Sequence, residues 1–323
     1  MNVFVTGGAG YIGSVCVEEL LNSGFPVTVF DNLTEGHRAA VDPRASLIIG
    51  DLSDRAAVLA AMGLAHAEAV IHFAASSLVG ESMKNPTKYF RNNVANSINL
   101  LDACVESDVR KFVFSSTAAV YGMPDRGPVD EALPKNPVNP YGESKLMIER
   151  MLAWYRQLHG LEYAVFRYFN AAGASERFGE HHRVETHLIP NVLKVALGQR
   201  PSVEVFGTDY PTPDGTCVRD FVHIADLAQA HILALQPGKQ GCFNLGNGAG
   251  FSVREVINSC QRISGQPIQI HERARRAGDP PHLVAAADMA SSQLGWKPRY
   301  ATLDSIIETA WSWHRRHPDG YPQ

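Results

Sequence analysis

Short apolar runs, separated by longer amphipathic stretches, set the rhythm of this chain. The runs Val3–Thr6, Val27–Phe30, Leu47–Ile49, Val70–Phe73, Phe112–Ser115 and Tyr163–Phe166 are only a few residues each and almost wholly apolar. They predict strands covered on both faces, as in a parallel sheet. Between them apolar residues recur at helical spacing, as from Val15 to Leu20 and Leu21 before Gly24. This alternation predicts an α/β fold, a Rossmann-type doubly wound parallel sheet. After Asn170 the pattern changes. Residues 171–187 are polar, with three His, and read as a loop; 210–215 is rich in turn residues. Short strands at Val203–Phe206, Cys242–Leu245 and Ile268–Ile270 mix with helices there. The expected division is residues 1–170 as the domain of the doubly wound sheet, with a segment near 220–250 rejoining it. Residues 171–323 then form a smaller mixed α/β domain.

The first run leads directly into Thr6-Gly7-Gly8-Ala9-Gly10-Tyr11-Ile12-Gly13. Glycines at 7, 10 and 13 permit a tight turn, close backbone approach to a pyrophosphate and close helix packing. The backbone N–H groups of Tyr11 and Ile12 open a helix whose positive end suits that anion. Asp31 ends the second run, 18 residues after Gly13, where a carboxylate accepts from an adenosine ribose and repels a 2′-phosphate. NAD is the expected cofactor. Asn32 follows Asp31. Asp51 and Leu52 follow the third run and suit the adenine, although Asp51 equally reads as a helix N-cap. Small residues in Phe73-Ala74-Ala75 let the backbone approach the cofactor. Asn92 reads as a polar bracket between elements.

Phe112–Ser115 runs on into Ser116 and Thr117, hydroxyls at a strand's carboxyl end, where open α/β sheets bind ligands. Tyr141 and Lys145 follow at a spacing that places both on one helix face. A free phenol, of pKa about 10, is a poor base near neutrality. A nearby ammonium, aided by an oxidised nicotinamide, favours the phenolate. The spacing is common by chance; its weight comes from the glycine loop and Thr117 before it.

Together these motifs resemble the extended short-chain dehydrogenase/reductase superfamily, and within it the UDP-glucose (UDP-galactose) 4-epimerase family. The resemblance runs from Asn2 to about Trp296. It rests on Gly7–Ser14, Asp31–Leu33, Val79–Ser82, Ser115–Gly122, Tyr141–Lys145, Arg167–Asn170, Asp209–Thr212, Asp214–Thr216, Val218–Asp220 and Arg275–Asp279. It implies bound NAD and inversion of the sugar C4 through a 4-keto intermediate. By the same resemblance Tyr141 is the base, Thr117 holds the 4-oxygen, and Lys145 fixes the nicotinamide ribose. Ser115, Tyr168 and Phe169 fall on the cofactor side. Arg219 and Arg276 are implied for the UDP pyrophosphate, Asp279 for the uridine ribose, and Leu188 and Phe206 near the uracil. Asn170 and His187 would contact diphosphate or sugar; His187 stands where some epimerases carry Asn. Leu283 stands where epimerases restricted to plain hexoses often carry Tyr, which leaves room for UDP-N-acetylhexosamines.

Several alternatives stay open at this point. A UDP-uronic acid 4-epimerase needs a cation facing the sugar carboxylate, and none is evident. A 4,6-dehydratase needs an acid and a base after the active Thr, where Ala118 and Ala119 transfer no protons. A non-catalytic NAD-sensing module should lack the Tyr141–Lys145 pair. No metal is expected, because His181, His182 and His187 lack a spacing such as His-Glu-x-x-His.

The bulk numbers narrow the partners. The chain has 323 residues, 45% hydrophobic and 19% charged, with net charge −4, so no nucleic-acid or anionic-membrane footprint is expected. Five scattered cysteines without a Cys-x-x-Cys spacing read as reduced thiols. No apolar run reaches membrane-spanning length and Met1–Thr6 does not read as a signal peptide, so the cytoplasm is the expected location. The helix after Tyr141 is apolar on more than one face (Leu146, Met147, Ile148, Met151, Leu152, Trp154, Tyr155). With the resemblance it implies a homodimer through this helix and the one following Asn92.

Overall fold

The computed structural model describes residues 1–124, 127–276 and 278–322, so Ala277 of the Arg275–Asp279 motif lies outside the described residues. Six strands open the fold: β1 (Val3–Thr6), β2 (Val27–Asp31), β3 (Ser46–Ile49), β4 (Ala69–His72), β5 (Lys111–Thr117) and β6 (Glu162–Tyr168). A later strand, Gly241–Leu245, joins them outside β6. The seven lie parallel in the order Gly241–Leu245, β6, β5, β4, β1, β2, β3. The order reverses between β1 and β4, which opens a crevice at their carboxyl ends.

Both faces of the sheet are covered, as the apolar runs require. On one face Val3, Val5, Val29, Ile71 and Val113 pack with Val17 and Leu20 of helix α1 (Tyr11–Asn22) and with Leu227 of helix Ile224–Ala234. On the other, Phe4, Phe30, Val70, Phe112 and Phe114 pack with Met62 of helix α2 (Arg55–Leu64), with Leu100 and Leu101 of helix Asn96–Glu106, and with Ile148 and Leu152 of helix Pro140–His159. Burying each of these side chains contributes about 1.5–3 kcal/mol. The edge strand departs from the expectation. β3 pairs on one side only, and Ile49 is 53% exposed.

The later residues build a separate core around Val192, Leu193, Val205, Phe221, Val256, Ile257, Ile306 and Ile307. Its helix Val253–Ser264 is fixed by a capping box, Ser252 with Glu255. The strand expected at Ile268–Ile270 lies at Ile270–Arg273 instead, exposed along its length and parallel to Val203–Phe206. Most of 171–187 is irregular. Its first residues form strand Asn170–Ala172, parallel to Phe221–His223. No helix among the described residues is long and apolar enough to cross a membrane.

Candidate active site

The catalytic candidates meet where β5 ends and helix Pro140–His159 begins. Asn139 starts the helix: its side chain accepts from Gly142 N at 2.8 Å, and Pro140 suits the first turn. Gly160, at φ +74°, ends it. Gly142 sets the distance to β5. A Cβ there would lie 2.6 Å from Ala119 O, so only glycine lets the first turn press onto the backbone just after Thr117. The Tyr141 phenol lies beside the Thr117 hydroxyl, which favours its ionised form. The Thr117 Oγ1 accepts from Ala119 N at 3.1 Å.

Lys145 lies one turn further on, 2% exposed. Its Nζ donates to Ser115 O at 2.7 Å and sits 4.8 Å from the centre of the Phe114 ring. Burial pushes its pKa down to about 7, against the pull of Glu149. The expected depression of Tyr141 by this ammonium is not present in the chain alone. Loss of water raises the phenol's pKa, and the opposing influence is the Thr117 hydroxyl. The physical reason is that burial lowers Lys145 to about 7, so the amine has given up its charge before the phenol would ionise.

The glycine loop lies beside this corner. Gly7 takes φ +73°, and a Cβ on it would meet Ala74 N at 2.5 Å; one on Gly13 would meet Gly7 O at 2.2 Å. A Cβ on Gly10 would have only Gly7 O, at 3.3 Å, within 4 Å. Gly10 caps α1 without a side-chain hydrogen bond, and the first turn, with Tyr11 and Ile12, carries no acid. This open helix end, with bare glycine backbone beside it, fits the pyrophosphate of NAD. Asp31 accepts from Ala9 N at 3.0 Å and Leu33 N at 2.8 Å; burial raises its pKa against those two bonds. Asn32 donates to Asp51 at 2.7 Å. Asp51 is not a helix N-cap: it accepts from Ser53 N, and Asp54 caps α2. Leu52 is buried, Phe73 packs on the His231 ring, and the backbone of Phe73 and Ala74 makes the Gly7 contact, with Ala75 next in the chain. Tyr168 OH is hydrogen-bonded to Ser115 Oγ.

Asn92 makes a bond between elements as expected, but the fully buried bracket is its neighbour's. Asn92 is half-buried and reaches Ser76 Oγ at 3.1 Å. Asn93 is 1% exposed, accepts from Ser76 N at 2.8 Å and donates to Ser144 Oγ at 3.0 Å, which ties the β4 loop to the catalytic helix. A wide π-type turn at Phe90–Ala95 rotates the pair by one position.

The residues assigned to substrate form a second group. Arg219 donates to Val218 O and Pro280 O, and its other nitrogen lies 3.6 Å from Asp279. The Arg276 guanidinium stacks 3.7 Å over Phe206. Asn170 donates to Asp220 O at 2.8 Å. Leu283 pairs with Arg219 across short parallel strands and packs with Phe169, Val120, Tyr121 and Leu146, the residue after Lys145. Leu188 begins the helix Leu188–Ala196. His187, just before it, is exposed, with Nδ1 2.5 Å from Glu180.

The profile of the NAD dependent epimerase/dehydratase family matches residues 3–246. The chain belongs to that family. It is 50% identical to the UDP-glucose 4-epimerase of Halalkalibacterium halodurans over 99% of this chain and 98% of the relative. A crystal structure of a UDP-glucose 4-epimerase is 49% identical, covers 99% of both chains and superposes with a TM-score of 0.97. The UDP-glucose 4-epimerase of Brucella ovis in complex with NAD is 46% identical, over 96% of this chain and 97% of its own, with a TM-score of 0.93.

Within this family member, two supports of the corner escaped the sequence reading. Glu149, two turns after Tyr141, accepts from Ser116 Oγ at 2.5 Å and from Nε and Nη2, one edge of the Arg167 guanidinium. Arg167 also donates to Tyr121 OH at 2.9 Å, which donates to Asn244. Burial opposes the charge on Arg167, but the bonds to Glu149 outweigh it and raise its pKa. Asp220 is the other support: its carboxylate accepts from Asn247, Gly248 and Ala285 N–H, which fixes the strands carrying Arg219 and Leu283. The only sequence signals were the four-residue step from Lys145 to Glu149, and the presence of Arg167 and Asp220 in recognised motifs.

Proposed function

We propose that the chain interconverts UDP-glucose and UDP-galactose by inverting the sugar C4 through a 4-keto intermediate. The observation that carries this reading is the corner where Thr117, Tyr141 and Lys145 meet beside the glycine loop. NAD, when bound here, would supply a reversible hydride acceptor for C4, and because the hydride goes back to the sugar nothing would be consumed. Gly7, Gly10, Tyr11, Ile12 and Gly13 hold its pyrophosphate, Asp31 and Asn32 its adenosine ribose, and Asp51 and Leu52 its adenine. Phe73, Ala74, Ala75, Asn92, Ser115, Lys145, Tyr168 and Phe169 line the rest. Tyr141 removes the 4-hydroxyl proton and later returns it. Thr117, beside that phenol, steadies the 4-oxygen. Buried Lys145 orients the cofactor's reactive end. Burial raises the Tyr141 phenol's pKa in the chain alone, and the positive charge of oxidised NAD, once bound, would favour the phenolate. Ala118 and Ala119 have no proton to give, which keeps the chemistry to epimerisation.

Residues 1–170, with the segment near 220–250, serve the cofactor, and 171–323 serve the UDP-sugar. Arg219 and Arg276 hold the pyrophosphate, Asp279 the uridine ribose, Leu188 and Phe206 the uracil side, and Asn170 and His187 polar oxygens. Leu283 lies in the cluster with Leu146, and its small size there favours acceptance of UDP-N-acetylhexosamines. The working form is a homodimer through the exposed Ile98, Trp154 and Leu158. Five free cysteines suit a reducing cytoplasm. The test is incubation with UDP-galactose, product followed by NMR. Tyr141→Phe should keep NAD binding and lose interconversion; activity above a few per cent would overturn the role of Tyr141.

A further inference from the structure

We propose that Glu180, His182, Glu185 and His187 bind a zinc-like divalent metal ion that clips the loop between strand Asn170–Ala172 and helix Leu188–Ala196. The four residues stand in the irregular run Gly179–His187, and one donor atom of each lies within 4.8 Å of all the others. Tetrahedral zinc, with bonds of about 2.0–2.2 Å, needs ligand-to-ligand edges of about 3.3–3.6 Å. His182 Nδ1 lies 3.3 Å from Glu180 Oε1 and 3.4 Å from Glu185 Oε2, and His187 Nδ1 lies 3.6 Å from Glu185 Oε1. Each matches such an edge, but the two Glu185 distances are to different oxygens, so metal binding requires that carboxylate to turn. The Glu180 to His187 distance, 2.5 Å, has to open by about 1 Å, a shift within reach of a His187 side chain that is 54% exposed.

The donor set selects the ion. Two imidazole nitrogens with two carboxylates suit zinc and its first-row neighbours. Calcium and magnesium prefer oxygen alone. Glu180 and Glu185 side chains are each only 5% exposed. Two buried carboxylates converging on one point call for a double positive charge, which a divalent ion can supply in place of the protons on the two histidines. With four protein ligands the site is closed and structural, separate from the Tyr141–Lys145 corner.

Its position gives it a consequence. The Tyr11 ring, in the first turn after the glycine loop, meets His182 edge-on at 6.0 Å, and its hydroxyl donates to Gly173 O at 2.6 Å. The clip therefore ties the loop to α1 on one side and to the start of helix Leu188–Ala196 on the other. A metal on Nδ1 of His187 also leaves Nε2 carrying its hydrogen, a fixed donor. That last point rests on the substrate role proposed for His187; metal binding itself does not.

The experiment is metal analysis of the purified full-length protein, followed by removal with a chelator and titration with zinc and with cobalt(II). One equivalent of zinc per chain, visible bands of tetrahedral cobalt, and a melting temperature that falls on chelation and recovers with zinc would establish the site. His182→Asn and Glu185→Gln should each weaken zinc binding at least about 10-fold and leave melting insensitive to chelator, with NAD binding kept. No stoichiometric zinc in the wild-type protein, with melting indifferent to zinc and chelator, would overturn the proposal and leave two imidazolium–carboxylate pairs. Both readouts are independent of turnover, so they stand whether or not epimerisation is observed.

Discussion

Lys145 should stabilise the reaction at the expense of the fold, and Lys145→Met separates the two. Burial takes its ammonium from the ordinary 10.5 to about 7. At about 1.4 kcal/mol per pKa unit that difference is a cost of about 5 kcal/mol to the folded protein. Methionine fills a similar volume and removes the cost. It also removes the bond to Ser115 O, worth about 1.5–3 kcal/mol when the donor is charged. The net gain expected at pH 7 is about 2–3 kcal/mol.

The pH dependence gives the sharper check. Between about 7 and 10.5 the unfolded chain keeps the Lys145 proton and the folded chain has lost it. The unfolded state then binds more protons, so wild-type stability rises with pH across that window. Below about 7 both states are protonated and the cost is full. The methionine variant lacks this dependence. Its advantage is therefore greatest at and below pH 7 and fades towards pH 10. Urea denaturation of nucleotide-free protein from pH 6 to 10 measures it, and epimerisation should fall at least about 100-fold. A variant less stable than wild type at pH 7, or a gap that does not shrink with pH, would refute the reasoning.

Glu149→Gln should destabilise the protein by about 3–5 kcal/mol, because Arg167 is left charged in a buried site; a loss under 1 kcal/mol by urea denaturation would show that the pair is not a support. Leu283→Tyr should remove turnover of UDP-N-acetylglucosamine while UDP-glucose turnover survives, as followed by NMR; equal losses on both would sink the pocket-size argument. Trp154→Glu places a charge in the exposed apolar face of helix Pro140–His159, and on the proposed dimer sedimentation should show a dimeric mass for the wild type and a monomeric one for the variant; an unchanged mass would move the interface elsewhere.

The residues legible in the sequence are those whose neighbours are close along the chain. Gly7, Gly10 and Gly13 do their work within one turn, and Tyr141 and Lys145 are one helical step apart, so local geometry alone brings them together. Glu149 and Arg167 meet only because a helix folds back across β6, and no spacing announces a contact made through the sheet. Asn92 and Asn93 show a finer limit: the helical period chooses between them only if the turn is regular, and the π-type turn there is not. The Glu180–His187 quartet is the extreme case. A spacing such as His-Glu-x-x-His marks a metal because a helix puts its two histidines on one face. An irregular loop has no period, so Glu-x-His-x-x-Glu-x-His carries no such mark until the backbone is folded around it. Donors recruited by a loop have to be sought in space, and a template of helical spacings will pass over them even when all four lie within eight residues.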